Sequence, residues 1–288
     1  MELYNIGTIN DVLRRHNFTF SKALGQNFIV NPTVCPRIAE MGNAKKGFGI
    51  IEIGAGIGVL TAELAKRAEK VVCIEIDSRL LPVLDETLTE FDNVKIINAD
   101  VLKTDIAKVI KDEFEGMEVA ICANLPYYIT SPILMYLLES RLPVKSITVM
   151  VQKEAARRIC AKPGTRDVGA LSLAVRYYSE PKILFDVSRG SFMPSPDVDS
   201  SVIRLDVSEV PTVKVNSPEM FFKTVKGGFS QRRKTLVNSL SSFLSRPKSD
   251  ISAILDELGI QATVRPEQLS IEQFALISDK LDEMENCL

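Results

Sequence analysis

The segment "EIGAGIG" at 52–58 places Gly54, Gly56 and Gly58 behind an apolar run, where glycine permits a tight turn and lets a ligand lie close to the backbone. A dinucleotide fingerprint would need a small residue at position 59. Val59 stands there and Gly58 comes one place early, which disfavours a pyrophosphate on the following helix. Glu75 closes the next apolar run, at the distance where a carboxylate accepts both ribose hydroxyls, and Asp100 closes the one after, where it can accept from an adenine amino group. No Walker-type lysine follows the glycines and no phosphate handle is evident. An adenosine with a non-phosphorylated substituent therefore fits better than NAD or ATP, and S-adenosyl-L-methionine is such a ligand. A plain tight turn would explain the glycines alone, but not the two carboxylates that follow them.

"NLPYY" at 124–128 follows the fourth such run, "VAICA". Turn chemistry explains an Asn and a Pro there, but not the Tyr beside them. An exocyclic adenine amine is a poor nucleophile because its lone pair is delocalised into the ring. Acceptors on its hydrogens favour a pyramidal nitrogen, and the Asn124 side-chain carbonyl and the Leu125 backbone carbonyl are suited to that role. Pro126 biases Leu125 towards extended backbone and so aims its carbonyl. Tyr127 offers a face for a base drawn out of its strand. Positioning and charge stabilisation carry such a transfer without a strong general base. Phe192, just ahead of Pro194 and Pro196, lies in a stiff loop that cannot be strand interior, and it can supply a second face. The competing reading is a core-filling Phe. Tyr128 is expected to pack elsewhere.

The elements that must position these residues alternate. Strand-like runs at 49–54, 70–77, 94–100, 119–124 and 146–152 each precede a helical pattern, which points to βαβ units and a mainly parallel sheet covered by helices on both faces. "KILFDV" and "SSVIRLDV" are strand-like without a helix between them, as in an antiparallel hairpin added to the sheet. From about Pro211 four helical patterns follow without strands, the second of them over 231–244. The chain is thus expected to divide into 1–207, carrying the cofactor and the chemistry, and 208–288, all helical.

Composition narrows the classes. The 288 residues are 45% hydrophobic and 25% charged, as in an ordinary globular protein. No apolar stretch approaches the ~20 residues of a membrane span. The N-terminus lacks the pattern of a secretory signal. Five scattered cysteines without CxxC spacing fit a reduced, cytoplasmic setting, with small buried thiols as the simplest role for most of them. His16 is the only histidine, so a His-based metal site or a Ser-His-Asp triad is disfavoured and no metal is expected. The net charge of −2 hides an asymmetry, because 250–288 holds nine acidic residues against Arg265 and Lys280. The rest of the chain is basic enough to offer a working surface to a polyanion.

In order and spacing, "KALGQNFIV", "IEIGAGIG", "EID", "NAD", "ANLPYYI", "VQKEAARR", "SFMPSPDVDSSVIRL" and "FSQRRKTLVNSL" resemble the ribosomal RNA adenine N6-dimethyltransferases of the KsgA type, over almost the whole chain. The resemblance implies a Rossmann-like methyltransferase sheet with a small helical C-terminal domain that binds RNA. It implies a cofactor site formed by Gln26, Asn27, Ile29, Gly54, Gly56, Glu75, Ile76, Asp100 and Val101. Asn124 would contact both S-adenosyl-L-methionine and the target amine, and Tyr127 and Phe192 would sandwich the target adenine, with Leu125 and Pro126 shaping the site. Ala55 and Ser188 stand where many relatives carry Pro.

Two basic clusters, holding Arg157, Arg158 and Lys162 in the first and Arg232, Arg233 and Lys234 in the second, suit phosphate contacts, although solvated helix faces would look the same. The implied substrate is a pair of adjacent adenines in the terminal hairpin loop of 16S rRNA, in the immature small ribosomal subunit, and nothing demands more than a monomer. Three other readings stand beside it. They are a large-subunit rRNA adenine methyltransferase of the macrolide-resistance type, a non-enzymatic rRNA-binding assembly factor and, more remotely, a nicotinamide oxidoreductase.

Overall fold

The computed structural model describes residues 1–21, 24–231 and 233–286. The chain divides into two compact units, one of Met1–Ala156 with Pro181–Val207, the other of Arg157–Glu180 with the residues from Ser208 onward.

In chain order the elements are α1 Ile6–Arg15, β1 Phe28–Ile29, α2 Val34–Met41, β2 Phe48–Ile53, α3 Val59–Ala65, β3 Lys70–Glu75, α4 Leu81–Thr87, β4 Val94–Asn98, α5 Ile106–Glu113, β5 Glu118–Asn124, α6 Thr130–Glu139, β6 Ser146–Gln152, α7 Lys153–Ile159, α8 Ala170–Tyr178, β7 Ser179–Val187, β8 Phe192–Met193, β9 Ser200–Val207, α9 Pro218–Gly228, α10 Leu236–Leu244, α11 Lys248–Glu257 and α12 Ile271–Asn286.

Seven strands form one sheet in the order β4-β3-β2-β5-β6-β9-β7. The central ones, β2 and β5, are buried along nearly their whole length, which is why they are continuous apolar runs rather than alternating ones. Strands β4, β3, β2, β5 and β6 are parallel, and β9 returns antiparallel to β6. The direction of chain progression reverses between β2 and β5, where Ile53 is paired with Ala123. Open α/β sheets bind ligands at such a switch point, beyond the carboxyl ends of the strands. The residues after Ile53 and Ala123 are Gly54 and Asn124, so topology sets the glycine turn beside the NLPY segment. Local signals fix the surrounding helices. Asn5 accepts from the Gly7 and Thr8 amides at the start of α1, and Asp105 from the Lys108 amide at the start of α5.

Two expectations are corrected here. The first concerns the β7 and β9 sequences. They occupy one edge of the sheet, but β8 falls between them in sequence and pairs antiparallel with β1, with Phe28 opposite Met193 and Ile29 opposite Phe192. Phe192 therefore does sit in a ladder, because Pro194 lies just past its end and its missing N–H disturbs nothing.

The second concerns residues 157–180, which pack with the C-terminal helices rather than with the sheet unit. Tyr177 of α8 stacks on Phe221 of α9 at 5.0 Å, and Tyr178 on Phe222 at 5.6 Å. This aromatic cluster joins α8 to a bundle that a linear boundary at 207/208 leaves incomplete. In the same unit, the helix expected over 231–244 begins only at Leu236, with the Thr235 side chain as its cap. Among the described residues, no helix is long and apolar enough to cross a membrane.

Candidate active site

Gly54 takes φ +78°, a left-handed conformation that favours glycine, and a Cβ there would meet nothing nearer than the Asn124 carbonyl oxygen at 4.0 Å. Its open side is the cleft. Glu75, the last residue of β3, is buried, and its two carboxylate oxygens accept from the Gly56 amide at 3.0 Å and the Asp77 amide at 2.9 Å. Burial raises its pKa, with the neighbouring Asp77 charge adding to this and the backbone donors opposing it. The same carboxylate therefore ties the glycine turn to the end of β3, with acceptor capacity to spare for a diol. Ile76, 54% exposed, presents apolar surface at the cleft.

Asn124 ends β5. Its side-chain amide donates to the Asn27 carbonyl at 3.1 Å, an orientation that turns the amide oxygen the other way. The Leu125 amide donates to the Met150 carbonyl at 3.3 Å, and the buried Leu125 side chain anchors the turn. Pro126, at φ −57° and ψ 133°, leads into a single 3₁₀ turn over Tyr127–Ile129 and then α6. The Tyr127 hydroxyl is 2.7 Å from the Ser200 hydroxyl, which pins a half-buried ring whose pKa is pushed up by burial. Phe192 is buried and lines the same cleft as Tyr127, Asn124, Gly54 and Glu75. Tyr128 does not pack inside. It is 61% exposed.

Three of the expected cofactor residues, Ile29, Asp100 and Val101, are not among those lining the cleft around Gly54. Ile29 is buried in the β1–β8 pair, outside the cleft lining. Asp100 accepts from the Leu102 amide at 3.0 Å as the cap of a short turn, with Lys103 3.7 Å from its other oxygen, and Val101 beside it is buried. Neither lines the cleft around Gly54. Gln26 does line it, but both ends of its amide are engaged by protein. Its oxygen accepts from the Ser21 amide at 2.9 Å, and its nitrogen donates to Asp77 at 2.7 Å.

Asp77 and Arg79 stand behind Gln26 at the cleft wall. The Arg79 guanidinium makes two bonds to the Asp77 carboxylate, at 2.7 and 2.8 Å, and holds its pKa down. Leu24, Phe28 and Leu80 also line the cleft, and no signal in their types separates them from core residues.

The basic residues proposed for RNA belong to the second unit. Arg157, Arg158, Lys162, Arg233 and Lys234 are exposed. Arg157 is 3.1 Å from Asp167. Arg233 and Lys234 precede the Thr235 cap in a loop instead of forming a helix face, and Arg232 lies outside the described residues.

The donor set suits an adenosine-like methyl donor. Among the described residues lining the cleft are a buried carboxylate, backbone and side-chain amides and apolar surface, with no Lys or Arg to hold a phosphate. Comparison with known proteins agrees. The ribosomal RNA adenine dimethylase family matches residues 17–283. Two proteins called ribosomal RNA small subunit methyltransferase A are similar over 275 residues, 94% of this chain and 94% of theirs, with 50% identity in Bacillus cytotoxicus and 49% in Bacillus mycoides. Among solved structures, a dimethyladenosine transferase from Plasmodium falciparum is 25% identical with a TM-score of 0.74, covering 90% of this chain and 98% of that one. The 23S rRNA methyltransferase ErmE is 28% identical with a TM-score of 0.66, covering 88% and 99%. The cleft, the order of the strand ends and these likenesses converge, and the chain belongs to the ribosomal RNA adenine dimethylases, enzymes that methylate adenine with S-adenosyl-L-methionine as donor.

Proposed function

We propose that this chain dimethylates the exocyclic nitrogens of two adjacent adenines in the 3′-terminal hairpin loop of 16S rRNA, acting as a monomer on the immature small ribosomal subunit in the cytoplasm. The observation that carries the choice of subunit is the 50% identity, at matched length, to a Bacillus cytotoxicus protein named for the small subunit. The likeness to ErmE, a 23S rRNA methyltransferase, is weaker at 28% identity and makes the large subunit the second reading.

The cofactor supplies an electrophilic methyl group. The chain's own residues hold it and ready the acceptor. In this reading Glu75 takes the ribose hydroxyls, Gly54 leaves room along the backbone and Ile76 covers an adenine face. Asn124, its amide nitrogen anchored on Asn27, presents its oxygen to the target amine, and the Leu125 carbonyl takes the second hydrogen. Both acceptors favour a localised lone pair on that nitrogen. Tyr127, pinned by Ser200, and Phe192, held by the β1–β8 pair, give the flipped base two faces. Asp100, one oxygen of which caps its own turn, offers the other to the adenine amino group. Exposed Arg157, Arg158, Lys162, Arg233 and Lys234 in the helical unit contact RNA phosphates.

The test is transfer of labelled methyl groups from S-adenosyl-L-methionine to immature small subunits and, separately, to protein-free 23S rRNA. Label on two neighbouring adenines of the first substrate alone is expected. Label on 23S rRNA alone would replace this reading with the second.

A further inference from the structure

Among the described residues, two exposed apolar side chains at the catalytic end of the sheet, Ile76 and Tyr128, face different prospects. Ile76, 54% exposed, has the cofactor as its expected cover. Tyr128, at 61% exposure, is the more open of the two and has no occupant assigned by the mechanism. It stands on the same 3₁₀ turn as Tyr127, and on such a turn successive side chains diverge by about 120°. Tyr127 accordingly turns inward to Ser200 while Tyr128 turns out. The Tyr128 ring is not loose. A Cβ on Gly25 would come within 3.4 Å of its Cε1 and within 3.3 Å of the Pro126 Cβ, so the ring edge packs against the 24–28 segment beside Pro126. Tyr128 is thus an aromatic ring braced at one edge and open elsewhere, one residue from the base-stacking Tyr127.

Drawing an adenine into the cleft leaves its neighbour in the strand with an uncovered face. We propose that Tyr128 is the platform on which that neighbouring nucleobase stacks, so that the loss of base–base stacking is partly restored at the rim. The inference rests on the reading of the substrate as unpaired adenines in RNA. Stacking of this kind tolerates any base, because each has a π-face, and truncation of such a platform typically weakens binding by about tenfold. Tyr128 thus favours single-stranded loops over paired RNA, in which no base face is free.

The chain contains no tryptophan, so Tyr128→Trp installs a single fluorescent reporter at the rim. Steady-state methylation of immature small subunits is to be measured for the wild type, Tyr128→Ala, Tyr128→Phe and Tyr128→Trp, with cofactor affinity followed by equilibrium dialysis. Tyr128→Ala is expected to raise KM for the subunits about tenfold while the cofactor Kd stays within about twofold of wild type. Tyr128→Phe and Tyr128→Trp should restore KM, and the tryptophan emission should be quenched when the terminal-hairpin RNA is added. An unchanged KM in Tyr128→Ala, failure of Phe to rescue, or emission indifferent to the RNA overturns the platform while leaving the methyltransferase reading intact. A wild type that methylates no RNA overturns both.

Discussion

At the scale of single residues, one polar group lining the cleft and one buried in the sheet make separate predictions. Asn124 is oriented by what it donates. With its amide nitrogen committed to the Asn27 carbonyl, its oxygen is the end left for an incoming amine. Asn124→Ala is expected to lower kcat for methyl transfer by about 10²–10³, the typical cost of removing one oriented polar group from a reacting centre. Asn124→Asp should also fail, since a carboxylate has no proton to give Asn27. Single-turnover transfer and equilibrium dialysis separate this loss from a loss of cofactor binding.

Glu52 makes a different prediction. It lies on β2 between Cys73 and Cys122 of the flanking strands, and the Cys73 thiol donates to it at 3.4 Å. Burial pushes its pKa up to about 7, with Glu75 adding to the shift and the Thr61 and Cys73 side chains opposing it. The folded chain therefore holds this proton more tightly than the unfolded one. The stabilisation is complete below about pH 4.5 and is lost as pH rises through about 7, a change on the order of 3 kcal/mol. Glu52→Gln cannot titrate, so its stability relative to wild type should improve between pH 5 and pH 8 in urea unfolding. Parallel pH profiles for the two proteins would show that Glu52 ionises normally.

At the scale of elements, the parallel strands and the residues that end them were legible because each is an apolar run closed by a polar or glycine residue. The pieces that arrange the site were less so. Strands β1 and β8 are two residues each, below the length at which alternation gives a signal, yet their pairing carries Phe192 to the cleft. Gln26 showed its type but not its partner. The structure makes it a tie from Ser21 to the end of β3, through Asp77 and onward to Arg79. The loop that begins at Leu24 is also held at Asn27 by Asn124, so it is fastened to two strand ends at once. Releasing the first fastening should loosen the cleft wall without touching the chemistry. Gln26→Ala and Asp77→Asn are each expected to raise KM for S-adenosyl-L-methionine about tenfold and to change kcat little. Because Gln26→Ala removes the donor of the hydrogen bond they share and Asp77→Asn weakens its acceptor along with the Arg79 pair, the double variant should lose less than the sum of the single losses. Additive losses would mean that Gln26 contacts the cofactor directly, as the family resemblance implies.

At the scale of the whole molecule, charge decides more than the pI of 5.7 suggests. All the basic residues assigned to RNA belong to the unit that also contains the acidic C-terminal helices, so a global sum cancels what the local clusters offer. The linear reading missed that Arg157, Arg158 and Lys162 travel with this unit, because α8 joins it through aromatic contacts that only the three-dimensional packing reveals. The candidates differ in what already neutralises them. Arg157 has Asp167 at 3.1 Å, an exposed pair that contributes little to stability and competes with a phosphate for the guanidinium. Arg233 and Lys234 are exposed on the loop before α10. Each phosphate contact contributes about 0.7–0.9 to the slope of log K against log salt. Replacing both Arg233 and Lys234 by Ala should therefore reduce the slope by about 1.5 and weaken RNA binding most at low salt. Arg157→Ala should reduce it by less, and Asn124→Ala, which acts inside the cleft, should leave it unchanged. Filter binding of the terminal-hairpin RNA across a salt series measures all three. An unaltered slope in the Arg233 and Lys234 variant would show that this cluster is an ordinary solvated surface and would move the RNA-binding assignment to the Arg157–Lys162 cluster of the same unit.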